Sequence, residues 1–490
     1  MTIMCWGSLI FFTSCSLILR SDGYSLEEPG PGEDDTAMDI WYGDRDDFPG
    51  YDTDPEFQDY IIPEYQEYSN ADFGLVPSHE EHVEEEAELE NVTTVAPEKF
   101  VIIWQWDDAS WIMCACFMVF TMQTGFAMLE SGAASLKNEV NIMMKNVIDC
   151  LMGGLSYWAI GYGLSYGEGP LTNPFIAFGD FFVSADGMQM GPTYATFFFQ
   201  LAYASTGTTI VSGAISERTN FYFYIVFSFL NTFVYCIPAG WLWGDQGFLR
   251  NLHVVDLAGS CGVHLVGGTG ALVAAWMLGP RLGRWDIEGD PPMGSATNAM
   301  IGVSMLWWAW IAFNQGATFG ISGKKWIITI KATITSILAS FAGGSVGFAF
   351  SMATRKGKTE VMLVCNGILA ALVSIMAGCA NVTNIESIVI GGVGALLSTL
   401  CGLVLPWLKI DDPVSASCVH GVGGLWGMLA VGLFGKKDNL EGYTKYDGLF
   451  HGGGLYLLGV QGLACVCCIA WAGLSTLFFI SCLRCCIRFR

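Results

Sequence analysis

Two histidines in this sequence stand in matching phrases, Val263-His264-Leu265-Val266-Gly267-Gly268 and Val419-His420-Gly421-Val422-Gly423-Gly424. Eight residues before each stands an aspartate, Asp256 and Asp412. Both phrases open long apolar segments. A histidine in a lipid-embedded helix is costly unless it faces a polar partner or a pathway. A neutral imidazole both donates and accepts a hydrogen bond, and two adjacent ones titrate as a pair. Matching places in two halves of the chain point to His264 and His420 meeting at the centre of a helix bundle. Other chemistries are poorly represented. There is no P-loop, no nucleophile elbow and no HExxH pattern. A hydrolase is disfavoured, because no nucleophile–base constellation is present. Gly391-Gly392-Val393-Gly394 lies inside an apolar span and is no nucleotide loop.

The elements that must bring the histidines together follow from composition. The chain has 490 residues, of which 52% are hydrophobic and only 14% charged, as in a membrane protein. Its net charge of −24 is uneven: residues 1–100 carry 25 acids against 3 bases, which leaves 21 acids and 19 bases for the remainder. An acidic arm is thus joined to a nearly neutral membrane body. Most of the 17 cysteines lie in apolar runs, without metal-site spacing, and are expected to pack rather than to form disulfides or bind metal.

Ile3 to Leu19 is apolar and short for a span, so residues 1–20 are expected to be a cleaved signal peptide, with a retained extra span as the alternative. Residues 21–100 are acidic and too poor in aliphatic residues to bury a core, and are expected to form a disordered extracellular arm. Asn91-Val92-Thr93 is a glycosylation sequon, which makes Asn91 a glycosylation candidate. The glutamates Glu80, Glu81, Glu84, Glu85 and Glu86 could concentrate cations near a pore mouth.

The body, residues 101–482, contains eleven apolar spans long enough to cross a bilayer. Their limits are 109–131, 140–165, 194–216, 220–243, 257–279, 294–314, 326–350, 361–380, 386–408, 413–435 and 453–482. Loops after odd-numbered spans, with the tail, carry 11 Lys and Arg against 6 on the other side, which makes the odd side cytoplasmic. The arm is then extracellular, and residues 483–490 form a short cytoplasmic tail. The expected fold is an all-α membrane protein with a five-plus-five inverted repeat and one extra helix. His264 falls on span five and His420 on span ten, an odd number of spans apart. Inverted repeats of this kind place a site near the membrane midplane. Asp256 and Asp412 would each cap the helix that follows. The spacings Gly343-Gly344…Gly347 and Gly423…Gly427 let helices approach closely. Glu130, Glu139, Lys145 and Asp149 are expected to form pairs within helices or at a subunit interface, and His253 and His451 to be solvated in outer loops. Cys482, Cys485 and Cys486 make the basic tail a candidate for palmitoylation.

At this point the residues match a family. The stretches are Gly125-Phe126-Ala127-Met128-Leu129-Glu130-Ser131-Gly132, Lys137-Asn138 through Asn146, Phe199-Gln200 through Ser216-Glu217-Arg218, and Trp243-Gly244. They continue with Asp256-Leu257-Ala258-Gly259 to His264, Trp310-Ile311-Ala312-Phe313-Asn314, and Asp411-Asp412-Pro413 to His420-Gly421. The body resembles the ammonium transporter (Amt) family, within the superfamily that includes the Rhesus proteins, as an animal-type member with an acidic N-terminal extension. The resemblance implies an eleven-helix protomer, a homotrimer and one pore per protomer. It implies that Trp243 and Tyr203, supported by Asp256, recruit ammonium at an outer site. Tyr203 and Phe313 would form stacked gates, and His264 and His420 would line the pore below. Asp412 and Trp310 would be structural.

Three departures stand out. Tyr203 occupies a gate position that is usually Phe. Ala317 stands where a serine often binds the cation, with Thr318 adjacent. The long cytoplasmic tail of the family is not expected. The functional expectation is transmembrane transport of ammonium or ammonia, without enzymatic activity, cofactor, metal or nucleic-acid partner, in a lipid membrane, expected to be the plasma membrane. An ammonium sensor on the same fold and an electroneutral ammonia channel are the alternatives. The short tail disfavours the first, and Trp243 with Asp256 disfavours the second.

Overall fold

The computed structural model describes residues 106–286, 291–440 and 442–490. The expected signal segment, the acidic arm and Asn91 lie outside these residues. The described residues are helical, joined by loops and short turns. Among the described residues, nine helices are long and apolar enough to cross a membrane: α1 (Asp107–Ala133), α4 (Phe221–Asn251), α5 (Ser260–Leu278), α6 (Ala296–Gly316), α7 (Lys325–Thr354), α8 (Val361–Gly378), α9 (Asn384–Trp407), α10 (Ser417–Phe434) and α11 (Tyr456–Cys486). The second and third expected spans coincide with helical stretches of lower apolarity, α2 (139–166) and α3 (Met190–Ala214). The reason is visible in their composition. One carries Lys145 and Asp149, and the other carries Gln200 and a run of Ser and Thr, all buried.

Helix starts follow local chemistry. Thr383 and Glu386 form a reciprocal capping box at α9, Asn220 caps α4, and Ser295 caps α6. Asp108, near the start of α1, is fully buried and makes an ion pair with Lys325 at 2.8 Å, tying α1 to α7. Exposed Trp276, Trp308, Trp326, Trp407 and Phe478 point outward from the bundle, the arrangement for which lipid substitutes for a protein core.

Glycines set the closest helix approaches. A Cβ on Gly343 would fall 2.4 Å from the carbonyl oxygen of Gly367, so α7 and α8 meet backbone to backbone. The two glycines four residues after each histidine are reciprocal. A Cβ on Gly268 would lie 2.2 Å from the Gly421 nitrogen, and one on Gly424 would lie 2.4 Å from the Ser260 oxygen. Helices α5 and α10 therefore cross in contact just beside their histidines.

Three expectations are corrected. Glu130, Glu139, Lys145 and Asp149 do not pair within helices, and three of them are buried inside the protomer rather than at its surface. Glu130 accepts from Ser212 and Asn146, Asp149 from Tyr224, Ser228 and Thr209, and Glu139 from Asn298, while Lys145 donates to the Thr219 carbonyl. Low dielectric makes unpaired polar groups expensive, so each of these side chains is used to join helices. His451 is not simply solvated: its Nε2 lies 2.7 Å from Glu386 Oε1. The final helix continues to Cys486, beyond the expected limit of 482. The tail folds back so that the Asn220 N–H donates to the Phe489 carbonyl and the Phe489 ring packs on Phe223 at 4.6 Å.

Candidate functional site

The two histidines meet. His264 Nδ1 lies 3.0 Å from His420 Nδ1, and the rings face each other with centroids 5.0 Å apart at 13°. Each sits in a π-helical turn at the start of its helix, Ser260–Leu265 and Ser417–Val422. Such turns concentrate at functional sites, because the widened register re-aims one side chain. The turn in α5 depends on Gly259, whose φ of 97° lies in the left-handed region that favours glycine. The His264 N–H donates to the Gly259 carbonyl at 3.1 Å.

The aspartates hold those turns. Asp256 Oδ1 accepts from the Gly259 N–H, and its Oδ2 accepts from Cys261 and Gly262, both at 2.9 Å. Asp412 accepts from the backbone of Ala416 and Ser417 and from the Ser417 hydroxyl. Both carboxylates thus satisfy the otherwise orphaned N–H groups at a helix start. Trp310 closes the side of the pair. Its ring stacks on His264 at 5.0 Å and 15°, and its Nε1 donates to the Met376 sulfur.

Aromatic rings continue the column above the histidines. Tyr203 from α3 and Phe313 from α6 stack face to face, 4.0 Å apart at 7°. Phe313 in turn lies 6.1 Å from the His264 ring. Both aromatics are essentially inaccessible, as is Trp310. The Tyr203 hydroxyl is directed at the Phe313 carbonyl, at 3.4 Å. Trp243 stands edge-on to Tyr203 at 5.8 Å. It is fixed at both ends: its Nε1 donates to the Asp256 carbonyl at 2.7 Å, and its own carbonyl accepts from Arg250.

Tyr203 and Trp243 line a cavity of about 840 Å³, as do Asp256, Ala317, His253 and Tyr443. Burial, and then the charge of nearby Lys445, push the His253 imidazole below its ordinary pKa. That shift favours the uncharged imidazole at the cavity wall. On the other side of the histidines is a small cavity of about 20 Å³, lined by residues that include Phe126, Glu130, Asn366 and His420.

With this geometry in view, the protein can be compared with known ones. The model of the Ammonium Transporter Family matches residues 110–490. The chain belongs to this family. Ammonium transporter 3 of Dictyostelium discoideum is 34% identical over 76% of this chain and 87% of its own length. A Caenorhabditis elegans protein bearing an ammonium transporter name is 40% identical over 76% of this chain, which spans 56% of that relative's length. Among solved structures, a sensor Amt protein superposes with a TM-score of 0.71 at 32% identity, covering 78% of this chain and 94% of its own. Saccharomyces cerevisiae Mep2 gives 0.70 at 26% identity, covering 77% and 85%.

Membership and the apolar helices make this family member an integral membrane protein. Of the residues singled out in the sequence, Trp243, Tyr203, Phe313, Trp310, His264 and His420 lie in one contiguous column. Asp256 lies beside its upper end, and Asp412 caps α10 away from the rings. Thr318 does not replace the missing serine beside Ala317. Its hydroxyl bonds to the Gln315 carbonyl and to Thr329, at 2.8 and 2.6 Å. Phe199, which opens one of the matched stretches, was given no role in the sequence reading. It packs 4.6 Å from Tyr203, one helical turn before it, and lines the larger cavity. The signal was present as an i, i+4 aromatic pair, but it was masked by the neighbouring Phe197 and Phe198.

Proposed function

We propose that this protein carries ammonium and ammonia across a membrane. Ammonium enters the outer cavity, where the faces of Trp243 and Tyr203 attract it and the Asp256 charge lies nearby. It gives up a proton at the Tyr203–Phe313 pair, and ammonia moves on past His264 and His420. The observation that best supports this is the face-stacked Tyr203–Phe313 pair lying directly over the linked imidazoles, in a chain of this family.

Energetics favour deprotonation. A desolvated cation gains about 2 kcal/mol from an aromatic face. Burying a bare ion costs several kcal/mol. One or two rings do not offset that cost, so the charge does not pass the apolar section as intact ammonium. The imidazoles, joined through Nδ1, are placed to hand the proton along, which makes transport electrogenic. We further assign the protein eleven spans with the α1 end outside, a homotrimeric assembly with one pore per protomer, and a place in the plasma membrane.

The test uses proteoliposomes containing the full chain. With an inward ammonium gradient, current and lumenal pH are recorded together. Inward current supports deprotonation with proton relay. Lumenal alkalinisation without current supports passage of ammonia alone. Silence in both, from folded protein that binds ammonium, overturns transport and favours a sensor.

A further inference from the structure

We propose that the small cavity below His420 is a second substrate site, in which Glu130 and Asn366 hold a single ammonium or ammonia molecule. This rests on the transport function proposed above and assigns two further residues to it.

Glu130 is 1% exposed, near the end of α1. One of its oxygens is fully engaged: Oε2 accepts from Ser212 Oγ at 2.7 Å and from Asn146 Nδ2 at 3.2 Å. The other, Oε1, is buried and faces no protein donor. Asn366 on α8 likewise buries its Oδ1 without a protein donor. Both residues line the same cavity, together with His420, Thr209 and Gly213. A Cβ placed on Gly213 would lie 3.5 Å from Glu130 Oε1, which locates that oxygen at the cavity wall. Buried acceptors are normally paired, and two unpaired ones around a single space call for a ligand rich in donors.

Size narrows the choice. A cavity needs about 10–15 Å³ to hold one water-sized molecule, and this one offers about 20 Å³. A single ammonia or ammonium fits, and its N–H groups meet acceptors on two sides. An added methyl group would crowd a space of this size. The free oxygen of the Glu130 carboxyl thus gives the cavity a polar wall, where the rings on the other side of the histidines offer only aromatic faces. The unused acid of the GFAMLESG stretch, residues 125–132, thereby acquires a role at the far side of the histidine pair from the gates.

The experiment compares wild type, Glu130→Gln and Asn366→Ala as full chains in proteoliposomes, with ammonium and methylammonium as probes. Glu130→Gln keeps the shape and replaces one carboxyl oxygen by a donor amide. Asn366→Ala removes an acceptor and enlarges the cavity. Loss of such a hydrogen bond should lower maximal ammonium flux about tenfold in each, with half-saturation, set at the outer site, within about twofold of wild type. In Asn366→Ala the methylammonium-to-ammonium flux ratio should rise, which a purely structural role would not produce. Wild-type flux and wild-type selectivity in both folded variants overturn the site and leave only a place for water. If Glu130→Gln fails to fold, the flux and selectivity of Asn366→Ala decide. A wild-type protein that moves no ammonium removes the transport function and this site together.

Discussion

His264 and His420 share a hydrogen bond through their Nδ1 atoms, so at any moment one of them donates and the other accepts. Replacing either one leaves its partner buried without that bond. His264→Ala should reduce ammonium flux by about a hundredfold, the scale of a lost proton-transfer group, while the helices still assemble. Near-wild-type flux from a well-folded variant would remove the pair from the pathway. Tyr203 behaves differently. Its hydroxyl makes only a long 3.4 Å contact with the Phe313 carbonyl, whereas its ring makes the 4.0 Å stack. Tyr203→Phe keeps the stack, so flux should stay within about threefold of wild type. A loss well beyond that would show the hydroxyl acting on the cation. The paired histidines were legible because each repeats a phrase, and repetition survives without coordinates. The bonding of Glu130 and Asp149 was not, because their partners Ser212 and Tyr224 lie 82 and 75 residues away. The His451–Glu386 contact was hidden for the same reason.

At the level of helices, the reciprocal glycines fix where α5 and α10 cross. Gly268→Ala would press a methyl group into the Gly421 backbone, a contact of 2.2 Å that only main-chain movement relieves. Overpacking of this kind costs about 1–3 kcal/mol. The expected outcome is a lowered thermal midpoint in detergent together with reduced ammonium flux. A variant that melts and transports like wild type would show that the crossing yields easily. Helix existence was readable from apolar length. The π-helical turns at Ser260–Leu265 and Ser417–Val422 were not, since their hydrogen-bond register is imposed by Asp256, Asp412 and the glycine crossing rather than by local propensity.

At the scale of the molecule, one end of the bundle is tied by an ionic cluster. Arg281 pairs with Asp411 at 2.9 Å and with Glu217 at 2.7 Å, and Arg218 donates to the Asp411 carbonyl. These loops follow α3, α5 and α9, so the cluster joins helices far apart in the chain. Burial opposes ionisation of Asp411, but hydrogen bonds and charge from Arg281 outweigh it and hold the carboxyl below its usual pKa. Glu217 is likewise held down against burial, by Ser135 and Arg281. Their folded pKa values lie below the unfolded ones of about 3.9 and 4.3. The stabilisation is therefore complete above those values and is lost as pH falls through the folded pKa values. The contribution of this cluster to melting should be constant near neutrality and decline on acidification below about pH 4. Asp411→Asn should destabilise by about 3–5 kcal/mol at pH 7 and flatten the acid limb. An unchanged acid limb would exclude the cluster as its cause. The meeting of His264 and His420, 156 residues apart, was legible from their matching phrases. The cluster was not, because the sequence shows Arg281 and Asp411 only as loop charges. The glycine crossing also bears on how the molecule works over time. Many inverted repeats operate by alternating access, one half rocking against the other around a central site. Here α5 and α10 touch backbone to backbone beside the His264–His420 pair, and rocking one against the other would tear that contact apart. Substrate should pass through a standing pore, so turnover should not require a cycle of large-scale rearrangement.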